Sequence, residues 1–290
     1  MMLGHGLVRP VNSLGFDLLN MANRVFLIAL GRAVGGALIF TLPMLMTMEM
    51  WWLGFSMHPW KLALLLLATI PLLVGLSHYM GFEETFGFKD DALDSFVALA
   101  VGFIAAAVSL ALFSVIDTEM SVQEIIGKIS VQAVPGSIGA MFAQSEFGGN
   151  EKQQREKQRH AGYFGEIFIM AAGALFLAFN LAPTDEIMLI GHQMSPWHSI
   201  ALVVVSLFVM HAFVYSVEFL GSAPIPEGAS RRGIFVRYTV VGYAIVLLMS
   251  AYMLWTFGRA DGLPIGQFIS HLVVLGFPSA VGAAAARLIL

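Results

Sequence analysis

Residues 36–60 read GALIFTLPMLMTMEMWWLGFSMHPW, and residues 173–197 read GALFLAFNLAPTDEIMLIGHQMSPW. Laid together without a gap, the two stretches agree at nine of 25 positions, where composition alone would give about two or three matches. The matches include Glu49 with Glu186 and Trp60 with Trp197, which an apolar bias does not explain. An internal repeat of this length predicts that the chain folds as two similar halves.

The composition predicts that the chain lies in a membrane. Hydrophobic residues make up 58% of the sequence and charged residues 12%, about half the charged fraction that is usual in soluble domains. The apolar runs are about 18 residues or longer, enough to cross a hydrocarbon layer of about 30 Å. The absence of cysteine excludes disulfides, thiolate metal ligands and thiol nucleophiles. Residues 1–23 show no signal-peptide pattern, so we expect the first spanning helix to direct insertion.

The apolar residues are grouped into four segments in each half, in the same order. The first half contains segments A, B, C and D at about residues 25–52, 60–82, 93–116 and 121–147. The second half contains A′, B′, C′ and D′ at about residues 163–182, 197–219, 233–257 and 263–290. Segment D carries Glu124, Lys128 and Gln132, so by hydropathy alone it suits an interfacial helix as well as a spanning one.

Segment D nevertheless matches the more apolar D′. Pro135 is followed four positions later by Gly139, as Pro278 is by Gly282. We therefore expect D to span the membrane or to re-enter it. The sequence predicts an all-α, polytopic membrane protein with about eight transmembrane helices, arranged as two parallel four-helix repeats related by an axis along the membrane normal.

The distribution of basic residues favours this even number of spans. With a cytoplasmic N-terminus, eight spans leave mainly Lys61, Lys128 and Arg259 outside. They place the following basic residues inside: Arg9, Arg24, Lys89, Lys152, Arg155, Lys157, Arg159, Arg231, Arg232 and Arg287. A cytoplasmic excess of Lys and Arg is the usual bias, so we expect both termini to be cytoplasmic. The predicted divisions are an N-terminal segment (1–23), a first repeat (24–147), a polar cytoplasmic linker (148–162) and a second repeat (163–290).

Glu49 and Glu186 are the first candidates for an ion pathway, because both halves keep them near the same end of segment A. Ionisable groups at membrane depth are costly and usually face a cavity or a partner. Two carboxylates, one from each half, would suit a hard cation, which prefers oxygen ligands. The alternative is a pair of interfacial acids at the water boundary, beside Trp51, Trp52, Trp60 and Trp197, which resemble an aromatic belt.

The prolines of D and D′ are the second candidates. A proline inside a helix frees a backbone carbonyl about one turn earlier, and paired interruptions at matching positions are typical of ion and substrate sites in transporters. The alternative is an ordinary kink packed by small residues. The predicted pathway residues of this group are Pro135, Ser137, Gly139, Pro278, Ser279 and Gly282.

A third group occurs in the second half alone. His211 and Glu218 lie on segment B′, and an intramembrane histidine can relay protons. The alternative is a histidine bonded to a neighbouring helix. Methionines 44, 46, 48 and 50 have the spacing of thioether pairs that could pass Cu(I), but methionine is also common packing material, and the second half does not keep them.

No catalytic or nucleotide-binding motif is present: HExxH, GxSxG, the P-loop and the Rossmann glycine pattern are all missing. We therefore expect neither an enzyme nor a cofactor. No basic groove indicates nucleic acid, so the expected partners are the lipid bilayer, a small ion and, at most, further copies of the chain.

The segments GSIGA at 136–140 and PSAVGA at 278–283, with the Met-x-Pro-Trp turns at 57–60 and 194–197, resemble a family of bacterial multi-pass integral membrane proteins that is known as a domain of unknown function. The resemblance covers most of the chain. It implies a location in the bacterial inner membrane and carries no activity with it.

The leading hypothesis is a channel or carrier for a small ion, most readily a cation, with the pathway at the interface of the repeats or of an oligomer. One alternative is a membrane scaffold or sensor that binds lipid or a protein partner, favoured by small-residue helix faces such as Gly31 with Gly35. A membrane metalloenzyme that uses the outer histidines is the weakest alternative. An ion-flux assay separates the first two classes, and metal analysis identifies the third.

Overall fold

The computed structural model describes residues 11–80, 88–148, 162–215, 233 and 235–289. Among them no strand occurs, and nearly all are helical. The first half contains α1 (Val11–Leu45), α2 (Met48–Ser56), α3 (Pro59–Met80), α4 (Phe88–Leu112) and α5 (Val122–Gly148). The second half contains α6 (Gly162–Leu181), α7 (Asp185–Gln193), α8 (Pro196–Tyr215), a π-helical turn (Phe235–Val240) that continues into α9 (Val241–Thr256), and α10 (Ile265–Ile289).

The helices have the length and composition of membrane spans. Within the described residues, seven helices can cross a membrane, and an eighth span is obtained when α7 and α8, bent by 119° to each other, are counted together. Helix α8 is itself 20 residues long, about 30 Å at the usual rise per residue. The predicted all-α, polytopic membrane fold is confirmed. The number of spans, seven or eight, agrees with the predicted number of about eight.

Helix α5, the former segment D, is the most buried of the spans. Of its residues 122–143, 78% are buried inside the protein, because α1, α2, α3 and α4 all pack against it. Its polar residues are therefore covered by other helices rather than by lipid: the Gln132 amide donates to the Thr41 carbonyl at 2.8 Å. The chain forms one continuous helix there rather than a re-entrant break, and its length and composition are those of a span.

Segment A was expected to continue to about residue 52, and this prediction is wrong. Helix α1 ends at Leu45, Thr47 is extended, and the separate helix α2 begins at Met48. The Thr47 hydroxyl donates back to the Met44 carbonyl at 2.8 Å, which satisfies an acceptor at the end of α1. Thr184 does the same to Leu181 at 2.9 Å between α6 and α7. Hydropathy could not show this break, because the residues around it are apolar on both sides.

The prolines do not interrupt their helices. Helix α5 is continuous through Pro135, and α10 is continuous through Pro278. The expectation of broken helices is therefore wrong. Neighbouring helices pack closely around each proline. Transmembrane helices tolerate proline where such neighbours cover the freed backbone groups.

Glycines set the closest helix crossings in both halves. Helix α1 crosses α5 where Gly36 meets Gly139, and α6 crosses α10 where Gly173 meets Gly282. A Cβ atom at any of these four positions would collide with the carbonyl oxygen of the facing glycine. Small residues that let two backbones approach are typical of helix pairs in membranes.

The predicted duplication accounts for these paired features, and it remains a prediction. A topology experiment tests its parallel form. Reporters fused after Glu84 and after Glu227, both outside the described residues, are expected to lie on the same side of the membrane, since the four spans C, D, A′ and B′ separate these equivalent positions. Alkaline phosphatase, which is active only outside the inner membrane, and green fluorescent protein, which is fluorescent in the cytoplasm, measure this directly when each is fused at both positions. Opposite sides for the two fusions would exclude parallel repeats.

Candidate functional site

A cavity of about 390 Å³ opens at the end of the bundle where α2 and α7 lie, which we call the α2/α7 end. Helix α2 forms one wall, and the start of α7 and the loop between α9 and α10 form the other. The lining residues are Met48, Glu49, Trp52, Leu53, Ser56, Asp185, Phe257, Gly258 and Arg259. Residues from both halves of the sequence therefore build this cavity together.

The two carboxylates of the cavity lie in the first turns of α2 and α7. Glu49 is the second residue of α2, and Asp185 is the first residue of α7. A helix N-terminus carries a partial positive charge and unpaired N–H groups, so acidic side chains are common in the first turn of a helix. Both acids also line the cavity.

Arg259 neutralises one of these two acids. Its Nη1 atom lies 2.8 Å from the Asp185 Oδ1 atom, and its Nη2 atom donates to the Pro183 carbonyl. The cavity lining holds two carboxylates and one guanidinium, so its formal charge is negative by one.

The loop that carries Arg259 is fixed by contacts to the first half. Lys61 of α3 donates to the Trp255 carbonyl at 2.8 Å and lies 3.1 Å from an Asp261 carboxylate oxygen. Gly258 and Gly262 both adopt left-handed backbone conformations, with φ of 74° and 73°, which glycine reaches without a Cβ penalty. The turn therefore points Arg259 into the cavity, and Lys61 connects the turn to α3.

Glu49 differs from the other partly or fully buried acids of the described residues. Glu124 pairs with Lys128 at 2.8 Å, Glu166 with Arg287 at 2.7 Å, and Asp91 with His78 at 3.2 Å. Asp94 also has an electrostatic or hydrogen-bonding partner. Within the same described residues, Glu49 has neither an ion pair nor a hydrogen bond to its carboxylate.

The predicted partner of Glu49 is not part of this cavity. Glu186 is exposed and is not among the lining residues, whereas its neighbour Asp185 is. Sequence reasoning missed Asp185 because the first half has Met48 at the matching position. The signal that could have identified Asp185 was its position directly after Thr184, which occupies the N-cap position of a short helix.

The residues around the two prolines are packed inside the bundle. The Ser137 hydroxyl donates to the Ala133 carbonyl at 2.7 Å, and the Ser279 hydroxyl donates to Leu275 at the same distance. The Ser250 hydroxyl also donates to Ser279 at 3.1 Å. Gly139 and Gly282 form the helix crossings described above. The residues around the prolines are therefore engaged in packing contacts, and they do not line the cavity at the α2/α7 end.

His211 is bonded to a neighbouring helix. Its Nδ1 atom lies 3.1 Å from the Thr239 hydroxyl, and its ring packs edge-on against Phe235, with the centroids 5.2 Å apart. This is the alternative that the sequence left open for it. Glu218 lies outside the described residues. In the described part of the chain, no group of three or more His, Asp or Glu side chains has the arrangement of a metal site.

A family model with the description "Putative integral membrane protein (DUF2391)" matches residues 29–290. The chain belongs to this family. The DUF2391 match begins within α1 and includes every residue of the cavity, and it confirms the resemblance predicted from the glycine-rich segments and the Met-x-Pro-Trp turns. With the apolar helices, it establishes a multi-pass membrane protein. No curated protein and no solved structure matches the chain.

Proposed function

We propose that this DUF2391 protein is a channel or carrier for a small cation in the bacterial inner membrane. In this proposal, both termini are cytoplasmic and the α2/α7 end faces the outside. The cation enters through the cavity lined by Glu49 and Asp185. The observation that carries the proposal is the unpaired, half-buried carboxylate of Glu49 in a cavity between the two halves.

The chemistry of the cavity suits a cation better than an anion or an apolar ligand. Carboxylate oxygens are preferred ligands of hard cations, and a cleft of one charge sign with low-dielectric walls raises the local concentration of counter-ions. Elsewhere in the described residues, Glu124 and Glu166 pair with basic side chains and Asp91 bonds to a histidine, so leaving Glu49 free has an energetic cost. A passing cation offsets that cost.

Aromatic rings close the interface of the halves deeper in the bundle. Phe40 of α1 contacts Phe176 of α6 with ring centroids 4.3 Å apart, and Phe142 of α5 packs on Phe40 at 5.5 Å. Permeation along this interface requires the rings to separate. The conformation described here is accordingly a closed one in the proposed transport cycle.

Cysteine labelling tests the proposed entrance. The chain has no cysteine, so Ser56→Cys places one thiol in the cavity without further changes. In intact cells, a cationic, membrane-impermeant thiosulfonate is expected to label this thiol faster than an anionic one, because the cavity carries a net negative charge. Adding Glu49→Gln is expected to lower that preference several-fold.

Gln193→Cys is the matched control, since Gln193 occupies the position of Ser56 in the second copy of the repeated stretch. It is exposed and does not line the cavity. The ratio of cationic to anionic labelling rates is therefore compared between the two thiols, which cancels the intrinsic reactivities of the reagents. Equal ratios at both positions would refute a cation-attracting entrance.

A further inference from the structure

Two arginines and two tyrosines meet at the end of the bundle opposite the α2/α7 end. The Tyr163 hydroxyl of α6 donates to the Arg237 carbonyl at 3.0 Å, which joins α6 to the π-helical turn before α9. The Arg237 guanidinium lies over the Tyr163 ring, 4.3 Å from its centroid. Tyr238 packs on Tyr163 with the ring centroids 5.5 Å apart, and the Arg287 guanidinium of α10 lies 4.6 Å from the Tyr238 centroid. We call these four residues the Arg–Tyr cluster.

The Arg–Tyr cluster lies where three membrane spans end. These spans are Tyr163–Leu181, Phe235–Thr256 and Ile265–Arg287. Tyr163 and Arg287 are therefore terminal residues of their spans, and Arg237 is the third residue of its span. Tyrosine is enriched at the boundary between membrane and water, which is also where lipid phosphates lie. The cluster is thus at the depth of the lipid headgroups.

The two guanidiniums of the cluster differ in their partners. The Arg287 side chain is 14% exposed and pairs with Glu166 at 2.7 Å. Arg237 is exposed, and within the described residues its guanidinium has neither an ion pair nor a hydrogen bond. Two guanidiniums and one carboxylate leave this group with a formal charge of plus one. Guanidinium binds phosphate with two parallel N–H···O bonds, and the donors of Arg237 are available for such bonds.

An apolar face continues from Arg237 along the turn and α9. The residues that follow Arg237 on this face at helical spacing are all exposed: Val240, Val241, Ala244 and Leu248. Exposed apolar residues of a membrane span contact lipid chains. A lipid whose phosphate meets Arg237 can therefore place an acyl chain along this face.

We propose that the Arg–Tyr cluster binds the phosphodiester group of an anionic phospholipid, of which phosphatidylglycerol is the simplest example. The phosphate accepts hydrogen bonds from Arg237, and stacking on Tyr163 holds that guanidinium in position. The positive charge of the cluster favours a lipid with net negative charge over a zwitterionic one. The apolar face favours a lipid over a soluble phosphate that presents the same group.

Native mass spectrometry tests the site with purified protein in detergent, mixed with equal amounts of phosphatidylglycerol and phosphatidylcholine. We expect one phosphatidylglycerol to be retained per chain in preference to phosphatidylcholine. Arg237→Gln is expected to weaken this binding about fivefold or more, since a basic residue near the membrane surface contributes about that much to binding of an anionic lipid. Arg237 is exposed and has no ion pair in the described part of the chain, so the variant is expected to fold.

Arg24→Gln is the matched control, because Arg24 is an exposed arginine at the same end of the bundle, three residues before the span Leu27–Leu45 of α1. It does not belong to the cluster, and its variant is expected to retain phosphatidylglycerol as the unchanged protein does. Equal retention of the two lipids by the unchanged protein, or equal losses in the two variants, would overturn the proposal.

Glycerol 3-phosphate distinguishes the lipid from a soluble phosphate, because it presents a phosphate without acyl chains. At the same concentration as the lipid, it is expected not to displace phosphatidylglycerol. Displacement would assign the cluster to a soluble phosphate and overturn the proposed lipid site. The assay measures no transport, so its outcome is independent of the proposed function.

Discussion

Gly139→Leu is expected to prevent the protein from reaching a stable folded state. A side chain at this position meets the Gly36 carbonyl oxygen and the Phe40 side chain at the crossing of α1 and α5. Two backbones must move apart to accept it, in the most buried part of the bundle. Overpacking of a well-packed core costs about 1–3 kcal/mol and sometimes more, and a backbone clash places this variant at the upper end. Thermal unfolding in detergent, followed by size-exclusion profile, measures the loss.

Gly35→Leu is the matched control for this substitution. Gly35 is next to the crossing residue Gly36 on the same helix, yet a Cβ atom there meets nothing within 4 Å. It is expected to leave the unfolding midpoint unchanged or to raise it slightly, because leucine has a higher helix propensity than glycine. Gly282→Leu should behave like Gly139→Leu, since Gly282 faces Gly173. A Gly139→Leu protein as stable as Gly35→Leu would show that the crossing is not this close.

Removing both cavity carboxylates is expected to reduce cation flux at least tenfold. In Glu49→Gln with Asp185→Asn, Arg259 loses its partner and the formal charge of the cavity changes from negative by one to positive by one. A positive entrance repels cations. The Asp185 side chain is 75% exposed and that of its partner Arg259 is 25% exposed, so losing this ion pair should cost little stability. Uptake of cations into liposomes containing equal amounts of folded protein measures the effect.

Glu186→Gln is the control for the flux experiment, because it removes one negative charge from the same helix turn but not from the cavity. Its flux is expected to match that of the unchanged protein. Equal losses in Glu186→Gln and in the double variant would assign the effect to the general surface charge. Full flux in the double variant would remove the cavity carboxylates from the mechanism.

Segment D shows why much of the fold could be predicted from the sequence. Its hydropathy was ambiguous because Glu124, Lys128 and Gln132 lie on it. The Pro-x-x-x-Gly pattern shared with D′ predicted a spanning or re-entrant segment that is interrupted at Pro135, and α5 is instead one continuous helix. The polar residues are present because α5 is surrounded by other helices: Lys128 finds Glu124, and Gln132 finds the Thr41 carbonyl.

The end of α1 and the wall of the cavity show where the sequence was insufficient. The residues from Leu45 to Met48 continue an apolar run, so only the backbone reveals that α2 is a separate helix. That break places Glu49 at a helix N-terminus opposite the loop of Arg259. Asp185 was not predicted because the first copy of the repeat has Met48 at its position. The cavity combines Glu49, which both copies of the repeat keep as an acid, with Asp185, which only the second copy has. Contacts between residues 200 positions apart, such as Lys61 with Asp261, leave no local pattern.

Cation uptake by the unchanged protein, purified and reconstituted in liposomes, is the decisive measurement for the proposed transport. With an imposed membrane voltage, we expect at least one small cation among protons, Na⁺, K⁺ and a divalent ion to enter these liposomes faster than protein-free liposomes. The same cation should enter more slowly through the Glu49→Gln, Asp185→Asn variant. Uptake no faster than in protein-free liposomes for every one of these cations would contradict the proposed transport function.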